Sequence, residues 1–435
     1  MGNSKGLTRR AFLGRTAGAL AAPCVITSFS LAGEDRPAPS KRTTIGMIGV
    51  GGEGSKNLGA FLSQPDAEVR AVCEVDPVLL AQAKGAVENR YAAARRSGTF
   101  KGCDSTQDFR EFLARDDLDA VAISTPDHWH CLMSLMAVRA GKDVICEKPT
   151  FSVQEGRFVA DAVKRYGAVF QTSTEDRSLA VYHRMAELVR NGRIGKLERI
   201  YVGLPAGPGD AGDPTPQPVP EGFNYELWLG PAPWAPYCKA RCHWNFRWVS
   251  DYSGGMLTDW GAHLLDTAQW ANDTERSGPV EVEGTGKRHT TGLYNTFYDF
   301  HLRYKYASGV EMFVDSGNVS LKFEGTQGWI KNNGWIGPLE ASSPAILKTV
   351  IGPGEIHLFT CPGGEHRNFL DCVKTRSEPY FPAEIGHRCA SVMHIGNIAM
   401  WAERKLRWDP AAEHFVDDPG PDRMLQRAMR APWCM

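Results

Sequence analysis

Three glycines in the run Thr44-Ile45-Gly46-Met47-Ile48-Gly49-Val50-Gly51-Gly52-Glu53-Gly54 are spaced as G-x-G-x-x-G, after an apolar segment and ahead of a helix-like stretch, Ser55 to Leu62. This spacing suits a dinucleotide diphosphate. Gly49 allows a tight turn, Gly51 lets the backbone approach the phosphates, and Gly54 permits close helix–strand packing. Gly52 and Glu53 then open the helix, where free N–H groups and the helix dipole favour negative charge. Glu74 stands 20 residues after Gly54, at the end of the strand-like run Glu68 to Cys73. That is where a dinucleotide site places the carboxylate for the adenosine ribose hydroxyls. Farther along, Asp259 and His263 are four residues apart, so a helix over residues 257–271 would put both on one face. Oxidising an alcohol needs a base for the hydroxyl proton while hydride leaves for a nicotinamide, and histidine titrates in the right range. An ammonium such as Lys148 stabilises a developing alkoxide. Each motif also has a plainer reading: a glycine turn that binds nothing, a surface lysine, a helix-supporting pair.

The elements that must position these residues follow from the pattern. Helix-like segments at Pro77 to Ala94, Thr106 to Ala114, Cys131 to Ala140 and Val153 to Tyr166 alternate with strand-like runs at Leu118 to Ser124, Asp143 to Cys146 and Val169 to Ser173. Such alternation predicts a parallel sheet covered on both faces. Ligands of these sheets bind beyond the carboxyl ends of the strands, which makes Thr125, Pro126, Asp127, His130, Glu147 and Lys148 cofactor-binding candidates. A cis peptide before Pro149 suits the turn. From Arg177 the chain changes character. A helix over Leu179 to Arg190 precedes a strand at Leu197 to Gly203 and a Pro/Gly-rich loop at Pro205 to Gly222. The strand-like runs Val280 to Lys287, Thr296 to Lys305, Val310 to Ser316, Val319 to Phe323 and Gly328 to Lys331 come without intervening helices, and His366 to Thr375 and Ala383 to Lys405 are helical. Consecutive strands predict an antiparallel sheet. The expected fold class is α/β: a signal and linker over 1–40, a Rossmann dinucleotide-binding domain over 41–176, and an α+β domain with a mainly antiparallel sheet over 177–435.

The glycine loop, Thr125-Pro126-Asp127-His128-Trp129-His130, Glu147-Lys148-Pro149 and Gly254-Gly255-Met256-Leu257-Thr258-Asp259-Trp260-Gly261-Ala262-His263 together resemble the Gfo/Idh/MocA oxidoreductases, a superfamily that includes glucose–fructose oxidoreductase and inositol dehydrogenase. The resemblance covers nearly the whole chain after the N-terminal segment. It implies that Lys148 reaches the reacting hydroxyl and the nicotinamide ribose, that His263 is the acid/base, and that Asp259 assists on the same wall. It also implies a carbohydrate substrate and a homo-oligomer. Aromatic faces and arginine suit polyhydroxy ligands, so Trp234, Tyr237, Arg247 and Trp248, with Arg177 just past the last strand of the first sheet, are the substrate-binding candidates. A carboxylate at Glu74 should repel a 2′-phosphate, which favours NAD over NADP.

The 435 residues carry a net charge of −1, so no global field points to nucleic acid. Eleven cysteines are scattered; Cys238-x-x-x-Cys242 before His243 has no second pair to complete a metal site, and no metal is expected. Thr8-Arg9-Arg10-Ala11-Phe12-Leu13 precedes a modest apolar segment, Ala17 to Val25, and resembles a twin-arginine export signal. Export of a folded protein predicts a periplasmic enzyme with a tightly held cofactor loaded beforehand. No later window has the length and apolarity of a membrane span.

Overall fold

A computed structural model describes residues 37–38 and 41–435. The twin-arginine segment lies outside them. Thr43–Met435 forms a single unit. Its first sheet holds β1 (Thr43–Ile48), β2 (Ala67–Cys73), β3 (Asp104–Thr106), β4 (Ala120–Ile123), β5 (Asp143–Glu147) and β6 (Phe170–Ser173), in the order β3-β2-β1-β4-β5-β6. Every pairing is parallel, which is the doubly wound arrangement of a dinucleotide-binding sheet. The central strands bury both faces: β1 and β4 have no exposed residue, as a sheet covered by helices requires. The polar strand β3 was not legible as a strand, because Asp104 and Ser105 are exposed at the sheet's edge.

Helix α1 (Gly52–Ser63) follows the glycine turn, and α2 (Pro77–Arg90) follows β2, with Asp76 capping it through Val78 N and Leu79 N. Helix α3 runs Asp127–Arg139 and α4 runs Val153–Tyr166, the latter capped by Ser152 and closed by Gly167 in the left-handed conformation. Helix α3 begins four residues earlier than the apolar pattern predicts, so Asp127 and His130 lie in its first turn.

The second sheet has nine strands: β7 (Leu197–Leu204), β8 (Glu281–Lys287), β9 (Asp299–Lys305), β10 (Glu311–Ser316), β11 (Ser320–Gly325), β12 (Gly328–Asn333), β13 (Leu339–Ala341), β14 (Leu406–Asp409) and β15 (His414–Phe415), in the order β13-β12-β11-β7-β10-β9-β8-β14-β15. Hairpin pairing makes it mainly antiparallel, as expected, but β7 inserts between β10 and β11 and pairs with β10 in parallel. Helix α5 (Ala180–Arg190) leads into this sheet. Residues 256–271 form two helices, α6 (Met256–Asp259) and α7 (Gly261–Ala271), which turn at Trp260. The predicted single helix over 257–271 is therefore broken between its two polar residues. Helix α8 (Gly364–Thr375) returns to the first sheet, where its Phe369, Leu370 and Cys372 join the core against Phe61 of α1. Helix α9 (Ala383–Ala402) packs against α4, α7 and β8. The tail ends with Trp433 against Phe109 and Trp129.

Candidate active site

The turn after β1 is built for close approach. Gly49 has φ +80°, and a Cβ there would stand 2.6 Å from the Ser124 carbonyl oxygen. A Cβ on Gly54 would stand 2.2 Å from the Gly49 carbonyl oxygen, so this position brings helix α1 against the turn, as the spacing predicted. Gly51 is the N-cap of α1 and no side chain caps that end; a Cβ on Gly52 would meet nothing within 4 Å. The uncapped end therefore opens into a cavity of about 760 Å³, which Gly49, Gly51, Gly52, Glu53 and Glu74 all line. Ligand clefts span roughly 300–1,000 Å³. The Glu74 carboxylate accepts from Val50 N at 2.9 Å and Asp76 N at 3.1 Å, tying the end of β2 to the glycine turn. Burial raises its pKa against these backbone donors. Glu53 pairs with Lys56 at 2.7 Å in the first turn of α1. An open backbone cradle beside a half-buried acid fits a dinucleotide.

The ends of β4 and β5 supply the facing wall. Thr125, Pro126, Asp127, His130, Glu147 and Lys148 all line the cavity. His130 directs one ring nitrogen to Thr125 O at 2.7 Å and the other to Pro149 O at 2.9 Å. Its nitrogens are thus committed to joining the two turns. The Lys148–Pro149 peptide is cis. Asp127 accepts from Ser253 Oγ at 2.6 Å, which links the first domain to the segment ahead of α6; burial pushes its pKa up to about 7. Glu147 accepts from Asn57 at 2.7 Å, and burial raises its carboxyl to about 7 as well.

Lys148 Nζ donates to both the carbonyl oxygen and Oδ1 of Asp259, each at 2.8 Å. Arg247 Nε donates to Asp259 Oδ2 at 3.0 Å. Burial acts to raise the Asp259 pKa, but these two cations outweigh it and hold the carboxyl well below its usual range. Burial likewise acts to lower the Lys148 pKa, and Asp259 overrides it, so Lys148 stays an ammonium.

His263 does not pair with Asp259. Its Nδ1 lies 2.5 Å from Oδ2 of Asp176 and 3.1 Å from Thr174 Oγ1. A carboxylate at that distance fixes the proton on Nδ1 and leaves Nε2 as the basic nitrogen. Burial pulls the His263 pKa down and Lys148 opposes protonation, yet Asp176 prevails and raises it. The Asp176 carboxyl is fully buried, and His263 holds it below the usual range against the effect of burial. Helix α7 therefore faces the cavity with its orientation fixed from the end of β6. Asp176 grips His263, and the adjacent Arg177 grips Asp266 one turn on, through two bonds of 2.7 Å.

Among the predicted substrate residues only Arg247 lines the cavity, stacked on Trp244 at 4.0 Å. Trp234 is exposed elsewhere, and Tyr237 and Trp248 are buried in the core of the second domain. Arg177 is 4% exposed and occupied by Asp266, Glu275 and the Trp270 and Phe381 rings. Tyr237, Trp248 and Arg177 are thus taken up by packing, and Trp234 stands in solvent outside the cavity lining. Arg177→Met is expected to cost about 3–5 kcal/mol of stability, because Asp266 would be left buried and uncompensated. The check is a lowered Tm with unchanged nucleotide content in the folded fraction. The residues missing from the sequence-level site are Glu175 and Asp176 beyond β6 and the aromatic walls Trp244, Trp260 and Trp335, all of them in the cavity wall or bonded to it. A signal was present for Glu175 and Asp176, since both follow a parallel strand's carboxyl end. Among the described residues no group of three or more His, Cys, Asp or Glu side chains is placed to hold a metal ion, and no helix is long and apolar enough to cross a membrane.

Residues 43–174 match the family model described as "Oxidoreductase family, NAD-binding Rossmann fold", and residues 210–435 match the one described as "Oxidoreductase family, C-terminal alpha/beta domain", both of the Gfo/Idh/MocA group. A glycosyl hydrolase family 109 protein from Shewanella pealeana is 31% identical over 175 residues, 37% of this chain and 37% of that protein. A 1,5-anhydro-D-fructose reductase from Ensifer adhaerens is 34% identical over 110 residues, 25% of this chain and 32% of the reductase. The chain thus matches about a third of the length of these curated relatives. The WlbA dehydrogenase from Bordetella pertussis, solved with NADH and UDP-GlcNAcA, shares the fold with a TM-score of 0.61 at 14% identity, over 84% of this chain and 98% of that one. A levoglucosan dehydrogenase solved with NADH and L-sorbose does so with a TM-score of 0.61 at 18% identity, over 84% and 99%.

Proposed function

The chain belongs to the Gfo/Idh/MocA oxidoreductase family, and on that premise we propose that it moves hydride between NAD and a hydroxyl-bearing carbon of a sugar, cyclitol or glycoside. The observation that carries this reading is one cavity wall shared by Lys148, held by Asp259, and His263, held by Asp176, beside the glycine cradle. A bound nicotinamide supplies the hydride acceptor. Lys148, already protonated, donates to the substrate oxygen and stabilises the alkoxide as it forms. His263 Nε2 takes the hydroxyl proton, and Asp176 stabilises the imidazolium that results. Asp259 and Arg247 fix the ammonium. Trp244, Trp260 and Trp335 offer faces for a pyranose ring. Glu74 stands where a 2′-phosphate would meet a carboxylate, which supports NAD over NADP.

A second reading is supported by the glycosyl hydrolase family 109 matches. Transient oxidation would acidify a ring proton, elimination would break the glycosidic bond, and the cofactor would be regenerated in place. The Thr8-Arg9-Arg10 motif supports export to the periplasm, where free dinucleotide is scarce and a retained, internally recycled cofactor is expected under either reading. A homo-oligomer is part of the same proposal. The test is the mass of the nucleotide released on denaturation, followed by incubation with sugars and aryl glycosides without added NAD. A ketosugar supports the dehydrogenase and aglycone release the glycosidase. No nucleotide, and no cofactor reduction across the sugar panel with NAD or NADP supplied, would defeat both.

A further inference from the structure

We infer that Trp335 is a positioning residue for His263 and acts through Asp176. The inference rests on the proposed role of His263 as proton acceptor. Asp176 has two carboxylate oxygens and divides them: Oδ2 receives His263 Nδ1 and Thr174 Oγ1, at 2.5 and 2.9 Å, while Oδ1 receives the indole Nε1–H of Trp335 at 2.9 Å. With Asp176 fully buried, water cannot replace a missing donor, so the indole fixes the plane of the carboxylate and, through it, the imidazole.

Trp335 is itself held. It follows β12 in a turn whose backbone is tied on both sides: the Tyr182 hydroxyl donates to the Trp335 carbonyl, and the buried Asn332 side chain donates to the Gly337 carbonyl. Its ring stands edge-on to His263 at 5.9 Å and to Trp260 at 6.1 Å, and Trp260 lies 5.8 Å from His263. The ring thus walls the cavity while its N–H points away from it, to the acid behind the histidine. The charged and polar groups acting on His263 are Asp176 and Glu175, which favour its proton, Lys148, which opposes it, and Thr174 Oγ1. Trp335 is neutral and acts on none of them except Asp176.

Trp335→Phe keeps a ring and removes the N–H. The remaining carboxylate charge then concentrates on His263, so the imidazole holds its proton more tightly. By NMR titration, with the resonance assigned by its loss in His263→Asn, the His263 midpoint is expected to move to higher pH. The acid limb of the kcat profile should move the same way, with kcat at neutral pH down roughly tenfold and KM little changed. In an Asp176→Asn background the Phe substitution should add nothing further. An unmoved His263 titration, or full additivity with Asp176→Asn, would overturn the inference. The titration needs no substrate. A shifted midpoint in a protein that oxidises no sugar would leave Trp335 as a positioning residue and sink only the functional reading.

Discussion

Lys148→Ala is expected to lower kcat by on the order of 10²–10³, while the purified protein keeps its nucleotide. A lysine beside the substrate oxygen can act as a base or as a donor, and its environment decides which role it takes. A lysine that works as a base must be neutral at working pH, which burial alone would promote. Here burial is overridden by Asp259, bonded to Nζ through both its carbonyl and its carboxylate. The side chain is therefore an ammonium, suited to donate and to stabilise negative charge but unable to accept the hydroxyl proton. Alanine leaves the alkoxide without that donor. It also leaves Asp259 paired with Arg247 alone, which keeps the carboxylate ionised and limits structural damage. The glycine turn is separate from this cluster, so nucleotide content, read from the absorbance of heat-released supernatant, should change little. Lys148→Arg should recover only a fraction of the rate, since a planar guanidinium cannot take the same two bonds to Asp259 in that space. Wild-type turnover in the alanine variant would remove Lys148 from the mechanism.

Much of this site is legible in the sequence, and what is not has a physical cause. The glycine spacing, Glu74 and the turns at Thr125 to His130 and Glu147 to Pro149 are local signals, each read from a strand end and its following turn, and each contributes residues to the lining of one cavity. The family model and the sheet order agree with the doubly wound fold they predicted. The helical spacing of Asp259 and His263 placed both on one face, and both line the cavity; the helix is interrupted at Trp260, and each residue finds a different partner across the domain boundary. Asp176 lay one residue from the predicted Arg177. Periodicity cannot tell which of two adjacent charged residues faces a ligand and which faces the core; only the packing of α7 assigns Asp176 to His263 and Arg177 to Asp266. Trp335 was beyond reach for the same reason, since its contact with Asp176 spans 159 residues. Aromatic density misled in the opposite direction. Tyr237 and Trp248 sit in a tract rich in rings, but a large core consumes most of them.

Asp176→Asn separates an orienting acid from a merely structural one, because its consequences depend on pH in a stated direction. With aspartate, Nδ1 carries the proton and Nε2 is basic. An asparagine amide can instead donate to Nδ1, placing the ring proton on Nε2, where it cannot accept one from the substrate. The plateau of kcat is expected to fall by on the order of 10²–10⁴. The acid limb should also move to lower pH. Without Asp176, only Glu175 still favours the charged form of His263, against burial and Lys148, which both disfavour it. That movement is opposite to the one expected for Trp335→Phe, so the two variants together test a single chain of contacts by sign as well as by size. Stability follows the same pair. His263 has a raised folded pKa, so its contribution is full below about pH 6.5, the unfolded value, and is lost as pH rises through the folded one. Asp176 has a depressed folded pKa, so its contribution is present above about pH 4 and is lost as pH falls through the folded value. The pair therefore stabilises most between those limits. The Tm gap between wild type and Asp176→Asn should be widest near about pH 5–6 and narrow as the pH rises through the raised His263 value of the folded chain. A gap that is constant across this range, or a kcat plateau within twofold of wild type, would show that the carboxylate at 2.5 Å from the imidazole neither orients nor charges it.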